Sequence, residues 1–284
     1  MRVLLTGANG QLGSCFQDRL PHGWTLWATD NSELDITDRD AVSLAVAEFS
    51  PDVILNAAAY TAVDKAEEDH IKAVCVNKNG PENLALAAER NSCLLIHIST
   101  DYVFDGQAIK PYAEDDHTNP LSVYGQTKLD GELAVINANP QAIIVRTAWV
   151  FSEYGNNFVK TMIRLGKERN SLSVVSDQFG CPTYAGDIAS AIITLIKIKA
   201  EGGIYHFCGD KSVPWSDFAK MIFAIAFKEN VIKSIPLVEE ITTEQYPTPA
   251  KRPKYSILNC SKINGLGIQL SDWETALFNI IKKI

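Results

Sequence analysis

Five short apolar runs rich in β-branched residues recur along the first half of this chain, each parted from the next by a stretch of helical period. The runs are Arg2 to Thr6, Thr25 to Thr29, Val53 to Asn56, Leu94 to Ser99 and Ala142 to Thr147. Helix candidates lie between them at Leu12 to Leu20, Asp38 to Phe49, Pro81 to Arg90 and Ser122 to Asn137. Strand and helix alternating in this way is the pattern of repeated βαβ units. It predicts an α/β fold of Rossmann type, a doubly wound parallel sheet. Pro51 and Pro140 stand just ahead of two of the strands, where a helix must stop.

The turn from the first strand into the first helix reads VLLTGANGQLGSCF, with Gly7, Gly10 and Gly13 spaced GxxGxxG. Glycines there permit a tight turn and close backbone approach, and the helix N-terminus offers free amide donors to a pyrophosphate. Three glycines in a turn are weak evidence alone; a strand before and a helix after make them a dinucleotide-loop candidate. Asp30 closes the second strand, where a carboxylate can accept hydrogen bonds from adenosine ribose hydroxyls; a strand-end turn is its other reading. No arginine follows Asp30 directly, which leans toward NADH, while Arg39 nearby keeps NADPH open.

After about residue 150 the rhythm breaks. A helix near Asn157 to Glu168, a strand Ser173 to Ser176 and a helix near Gly186 to Lys197 precede a remainder punctuated by Pro and Gly. Within that remainder an amphipathic helix opens at Pro214 or Ser216 and a terminal one is capped near Ser271, while PTPAKRPKYS reads as a loop. The expected division is a dinucleotide-binding domain over residues 1–150 and a smaller C-terminal lobe over 151–284. That lobe is mainly substrate-binding, with interleaved segments returning to the first domain.

With 284 residues and 46% hydrophobic content the chain can bury a substantial core. No apolar run reaches the roughly 18 to 20 residues of a membrane span, and MRVLLTGANG lacks the apolar stretch of about 7 to 15 residues of a secretory signal. A cytoplasmic protein is expected. Six cysteines without a CxxC pair read as reduced thiols, and five histidines without ligand spacing give no metal site. A net charge of −8 argues against nucleic acid as a partner.

The segment SVYGQTKLDGE sets Tyr124 four residues before Lys128. With nine tyrosines and 26 cations in the chain, about 0.8 such pairs arise by chance, so position must supply the meaning. Leu129, Leu133 and Ile136 form an apolar stripe, which makes the segment a helix with Tyr124 and Lys128 on one face of its first turns. The strand ending in HISTDYVF brings Ser99 and Thr100 to the carboxyl edge of the sheet, where open α/β folds bind ligands. A phenol is a poor acid at neutral pH, and a neighbouring ammonium would lower its pKa toward the working range. Thr100 would donate to a carbonyl oxygen as charge develops there. The competing reading is a surface tyrosine packed on a lysine.

At this point the chain resembles the extended short-chain dehydrogenase/reductase superfamily, and within it the dTDP-4-dehydrorhamnose reductase family. The likeness spans nearly the whole chain, through LLTGANGQLG, NAAAYTAVDKAE, ISTDYVFDG, PLSVYGQTK, VRTAWVF, GNNFVKTM, DQFGCPT and YPTPAKRPKYS in order. The resemblance implies Tyr124 as proton donor with Lys128 and Thr100 completing the catalytic set. It implies NADPH or NADH held at Gly7, Gly10, Gln11, Leu12, Gly13, Asp30, Asp35, Ile36, Ala59, Tyr60, Thr61, Tyr124 and Lys128. A dTDP-sugar substrate would meet Thr100, Asp101, Trp149, Asn157 and Arg252. A homodimer is one option it leaves. Magnesium-bridged dimerisation, found in some members, is not expected, since Cys15 stands in the first helix in place of a glutamate and none lies beside Tyr184 to Asp187.

Several positions keep two readings. Trp149 either stacks on the ligand or packs between lobes, and Arg252, with Lys251 and Lys254, either clamps a diphosphate or sits in a solvated basic loop. Asn156 and Asn157 either touch sugar or cap a helix, and His97 reads as a packed core residue. Sister activities on the same scaffold are 4,6-dehydration and epimerisation, but a dehydratase needs an Asp-Glu pair after the threonine, and here Tyr102 follows Asp101. A non-catalytic regulatory subunit, like one related to a methionine-activating enzyme, is the reading from another class.

Overall fold

The computed structural model describes residues 1–284. In chain order the elements of the first half are β1 (Arg2–Thr6), α1 (Gln11–Gln17), β2 (Thr25–Thr29), α2 (Arg39–Phe49), β3 (Val53–Asn56), α3 (His70–Val74), α4 (Gly80–Arg90), β4 (Leu94–Thr100), α5 (Val123–Ala138) and β5 (Ile143–Thr147). Then come β6 (Val150–Phe151), α6 (Phe158–Glu168), β7 (Ser171–Val175), β8 (Phe179–Gly180), β9 (Thr183–Tyr184), α7 (Ala185–Lys197), β10 (Gly203–His206), β11 (Val213–Pro214), α8 (Trp215–Lys228), β12 (Leu237–Ile241), α9 (Ser261–Asn264) and α10 (Trp273–Ile281).

Six strands form the central sheet in the order β2-β1-β3-β4-β5-β10, all parallel. The chain leaves β1 to one side to make β2, then crosses back to make β3 on the other. Connections therefore diverge between β1 and β3, which opens a crevice at their carboxyl ends. Along β1, Val3 and Leu5 enter one apolar cluster and Leu4 the other, as the two-residue period of a strand requires. The smaller cluster packs α2 and α4 on the sheet through Val42, Val46, Leu84 and Ala88. The larger one runs from Phe16 of α1 through Ile188 and Ile192 of α7 to Phe218 and Trp273, so the sheet and the C-terminal lobe share one interior. No helix is long and apolar enough to cross a membrane.

Three differences from the sequence reading have local causes. The strand β10 escapes notice because it is only four residues long and follows two glycines, yet it pairs with β5 at the sheet edge. Residues 70–79 form α3 and a π-helical stretch, Cys75–Asn79, whose mixed sequence HIKAVCVNKN is too short to show a helical period. Here the carbonyl of Asn77 lies where a Cβ on Gly131 would be, at 2.0 Å, so only glycine lets α5 approach. The third difference is α5 itself. Leu133 is exposed, and the buried face holds Lys128, Glu132, Gly125, Gly131 and Val135 alongside Leu129.

Glu132 on α5 is satisfied by Arg146 of β5, which donates through Nε at 2.9 Å and Nη2 at 2.7 Å, both side chains almost wholly buried. Removing one member strands the other charge in the interior. Arg146→Met should cost about 3–5 kcal/mol, and replacing Glu132 by Leu in the same chain should recover most of it. Urea denaturation of the single and double variants measures both, and a single-variant loss below about 1 kcal/mol would contradict the assignment.

Candidate active site

A cleft of about 1040 Å³ opens at the carboxyl ends of β1, β3, β4 and β5. One wall is the glycine loop. Gly7 has a φ of +75°, and a Cβ there would lie 2.6 Å from the amide nitrogen of Ala58, so the turn accepts glycine alone. The Gly10 amide donates to the Gly7 carbonyl at 3.1 Å, and Gly10, Gln11 and Leu12 line the cleft. The first-turn amides of α1 have no intrahelical acceptor. Gly13, expected at the cofactor, lies outside the lining. Its Cβ would meet the Gly7 carbonyl oxygen at 2.3 Å, so it serves the close packing of helix on loop.

Asp30 reaches the far end of the cleft. Its carboxylate accepts from the Ser32 hydroxyl at 2.7 Å and amide at 2.8 Å and from the Asn9 amide group at 2.6 Å; the Ser32 donors hold it below the ordinary carboxylate range. Ile36 lines the cleft, but Asp35 does not, because its carboxylate is turned to the Thr37 amide and hydroxyl. Ala59, Tyr60 and Thr61 form the opposite rim. Asn77 pins that rim, accepting from the Tyr60 amide at 2.8 Å and donating to the Tyr60 carbonyl and to Thr127 of α5, both at 3.1 Å. Nothing in the sequence marked Asn77, since the π-helical turn that aims it has no composition of its own.

Thr100, the last residue of β4, lines the same cleft as Tyr124 and Lys128, with its hydroxyl near the Tyr124 phenol. Ser122 caps α5 by accepting from the Gly125 amide at 3.2 Å, which starts the helix so that Tyr124 and Lys128 stack one turn apart. The Lys128 amine is buried against β4, donating to the Ile98 carbonyl at 2.6 Å with His97 Nε2 at 3.4 Å. Burial lowers its pKa to about 8, opposed by Glu132 one turn on. Tyr124 is pushed up to about 12 by burial, with the nearby Thr100 hydroxyl drawing it down and Asp101 adding to the rise. Burial dominates the shift of the phenol, while the Lys128 amine is held at the Ile98 carbonyl of β4. Thr100 differs from expectation, since its hydroxyl donates to Asp101 Oδ1 at 3.0 Å and accepts the Tyr102 amide at 3.2 Å.

The C-terminal lobe supplies the remaining wall. Trp149 has a φ of +46° and stacks on Trp215, ring centroids 3.4 Å apart and planes nearly parallel, with one edge over Gly180. Asn157 caps α6 through the Lys160 amide, donates to Gln11 Oε1 at 2.9 Å and lines the cleft. Arg252 does not face the cleft. Asp64 takes it in a two-point ion pair at 3.1 and 2.7 Å, and the exposed Lys254 lies 3.7 Å from Asp177.

Two buried hydroxyls in the cleft, Ser99 Oγ and Thr147 Oγ1, have no hydrogen-bond partner. Such atoms at a sheet's carboxyl edge, beside a loop that only glycine can form, fit a polar ligand the size of a dinucleotide. This cleft and its Thr, Tyr and Lys are those of an extended short-chain dehydrogenase/reductase. The chain belongs to the dTDP-4-dehydrorhamnose reductase family: the family model described as RmlD substrate binding domain matches residues 1–284. A dTDP-4-dehydrorhamnose reductase of Aggregatibacter actinomycetemcomitans is 50% identical, over 98% of each chain. Among solved structures, the Clostridium acetobutylicum enzyme is 44% identical with a TM-score of 0.93, covering 100% of this chain and 99% of that one. The Bacillus anthracis enzyme, in complex with NADP, is 40% identical with a TM-score of 0.94 and the same coverage.

Asp101 gives this site a pH signature. Its carboxyl is pushed up to about 6 by burial, against the pull of the Ser256 and Thr100 hydroxyls; Ser256 is close without the geometry of a hydrogen bond. A folded-state pKa raised above the unfolded value gives stability that is present below the unfolded pKa and lost as pH rises through the folded one. Asp101→Asn should therefore gain on the parent chain between about pH 4 and pH 6, by on the order of 3 kcal/mol, and hold a constant difference above. Chemical denaturation across that range tests the slope; a pH-independent difference refutes it.

Proposed function

We propose that this chain reduces the 4-keto group of dTDP-4-dehydro-L-rhamnose to give dTDP-L-rhamnose, with NADPH or NADH as reductant. The supporting observation is the convergence of Thr100, Tyr124 and Lys128 in the same cleft as the glycine loop. Family relatives that bear this activity's name match the chain over its full length.

Bound along Gly7, Gly10, Leu12 and Asp30, the dinucleotide supplies the hydride. The substrate carbonyl would lie between Thr100 and Tyr124, and Tyr124 gives its phenolic proton to the oxygen as charge builds there. Burial keeps the phenol protonated in the free site, ready to donate as the carbonyl oxygen becomes basic. Lys128 places a positive charge one helical turn below and steadies the phenolate that remains. The stacked Trp149 and Trp215 offer a flat apolar surface to the sugar or base. Ser99 and Thr147 hold unspent donors toward the same space.

The six cysteines are all unpaired, which supports a reducing, cytoplasmic setting. For any self-association a bridging metal is not proposed, since Cys15, standing where a glutamate would be expected, is wholly buried in the core.

Tyr124→Phe should lower turnover by at least ~10²-fold with little change in cofactor affinity, as expected when only a proton donor is lost. Cofactor oxidation with dTDP-4-keto-6-deoxy sugars, beside a UDP-sugar control, measures it; unchanged turnover rejects the role. Titrating Asp30→Ala with NADH and NADPH tests the ribose contact, and an equal preference ratio in variant and parent removes Asp30 from it.

A further inference from the structure

His97 sits in the middle of β4, wholly buried, and the reaction as described makes no use of it. Its ring is fixed at both nitrogens. Asn56 Oδ1 accepts the backbone amide of Ala58 at 3.1 Å and the Thr6 hydroxyl at 2.8 Å. A backbone amide can only donate, so the orientation of the Asn56 side chain is settled by its surroundings. The Asn56 amide nitrogen therefore faces His97 Nδ1, at 3.0 Å, and Nδ1 must be the acceptor. In a neutral imidazole the proton then resides on Nε2, the atom 3.4 Å from the Lys128 amine.

We infer that His97 is a positioning residue for Lys128: its neutral ring turns an N–H toward the amine, offering a donor where an acceptor would be expected. An ammonium meets this N–H donor to donor, whereas a neutral amine accepts from it. Ile98 is thus the acceptor the strand provides for the charged form, at 2.6 Å, and the other hydrogens of the ammonium are directed away from β4 toward Tyr124 and the cleft. The charged and titratable groups around the amine are Tyr124 and Glu132, one turn to either side on α5, His97 from β4, and Arg146 from β5, which is spent on Glu132. Of these, His97 alone favours the neutral amine through a hydrogen bond. Burial and the Lys128 charge keep the imidazole itself uncharged, its pKa well below the ordinary histidine value.

The first test uses the unaltered protein and is independent of the proposed function. Nitrogen-15 spectra of histidine-labelled protein should show His97 with Nε2 protonated and Nδ1 bare, unchanged from pH 5 to pH 9; the opposite tautomer, or a ring that titrates in that range, overturns the inference. The second test rests on the reductase reading. Removing the opposing N–H in His97→Leu should move the alkaline fall of kcat upward by about one pH unit, while KM for NADPH stays within about twofold. A limb that does not move overturns the inference even if the rate has dropped, since a merely structural loss would lower kcat at every pH. Absence of any cofactor oxidation by the parent chain would defeat the reductase reading and leave the tautomer result standing.

Discussion

Closing a lysine amine between a helix and a strand is the constraint around which this interior is arranged. An isolated buried ammonium costs several kcal/mol or gives up its proton, and the burial of Lys128 lowers its proton affinity accordingly. The offset comes from a carbonyl on β4 and from Glu132 one turn along α5. Glu132 in turn requires Arg146 of β5, whose Nη1 lies 3.3 Å from His206 Nε2 on β10. The His206 ring is set by the carbonyl of Tyr112, at 3.1 Å from Nδ1, so Nε2 is free to accept from the guanidinium. Polar contacts thus run from Glu132, whose charge acts on the buried amine, through Arg146 to the edge strand of the sheet, supplied by a segment far along the chain.

That arrangement explains what could and could not be read from the residues alone. The five early strands were legible within a residue at each end because parallel strands buried on both faces are nearly all apolar, as β3 and β5 are. Helix α5 was legible in extent through Ser122, but its buried side was misjudged. A helix that buries Lys128 and Glu132 does not present an apolar stripe, and the exposed Leu133 supplied a false one. The strand β10 and the π-helical turn were illegible for another reason: each is held by partners distant in sequence, β5 for the one and Tyr60 with Thr127 for the other.

Site residues divide along the same line. Positions fixed by backbone geometry, namely Gly7, Gly10, Thr100, Tyr124 and Lys128, are brought together as their spacing predicts. Side chains that could bind a ligand through their chemistry already have partners here, because a carboxylate or guanidinium that can bind a ligand can equally bind the protein. Asp35 is spent on its own turn, Arg252 on Asp64, and the Gln11 oxygen on Ser152 and Asn157. The last of these has a structural consequence, for Gln11 opens α1 while Ser152 and Asn157 belong to the lobe. Three side chains therefore tie the glycine-loop helix to the lobe.

The threonine at the centre of the site illustrates how far such commitments reach. A hydroxyl has one proton, and that of Thr100 goes to Asp101 while its lone pair takes the Tyr102 amide. An ionised Asp101 can only accept, so in that state Thr100 has no proton left for a carbonyl oxygen. A protonated Asp101 can itself donate, which frees the threonine hydroxyl to turn toward the cleft. Because burial places the Asp101 pKa at about 6, both states lie within reach of neutral pH. The Thr100 hydroxyl and the Asp101 carboxyl are thus coupled through one hydrogen bond, and what Thr100 can offer the cleft depends on whether its neighbour is charged.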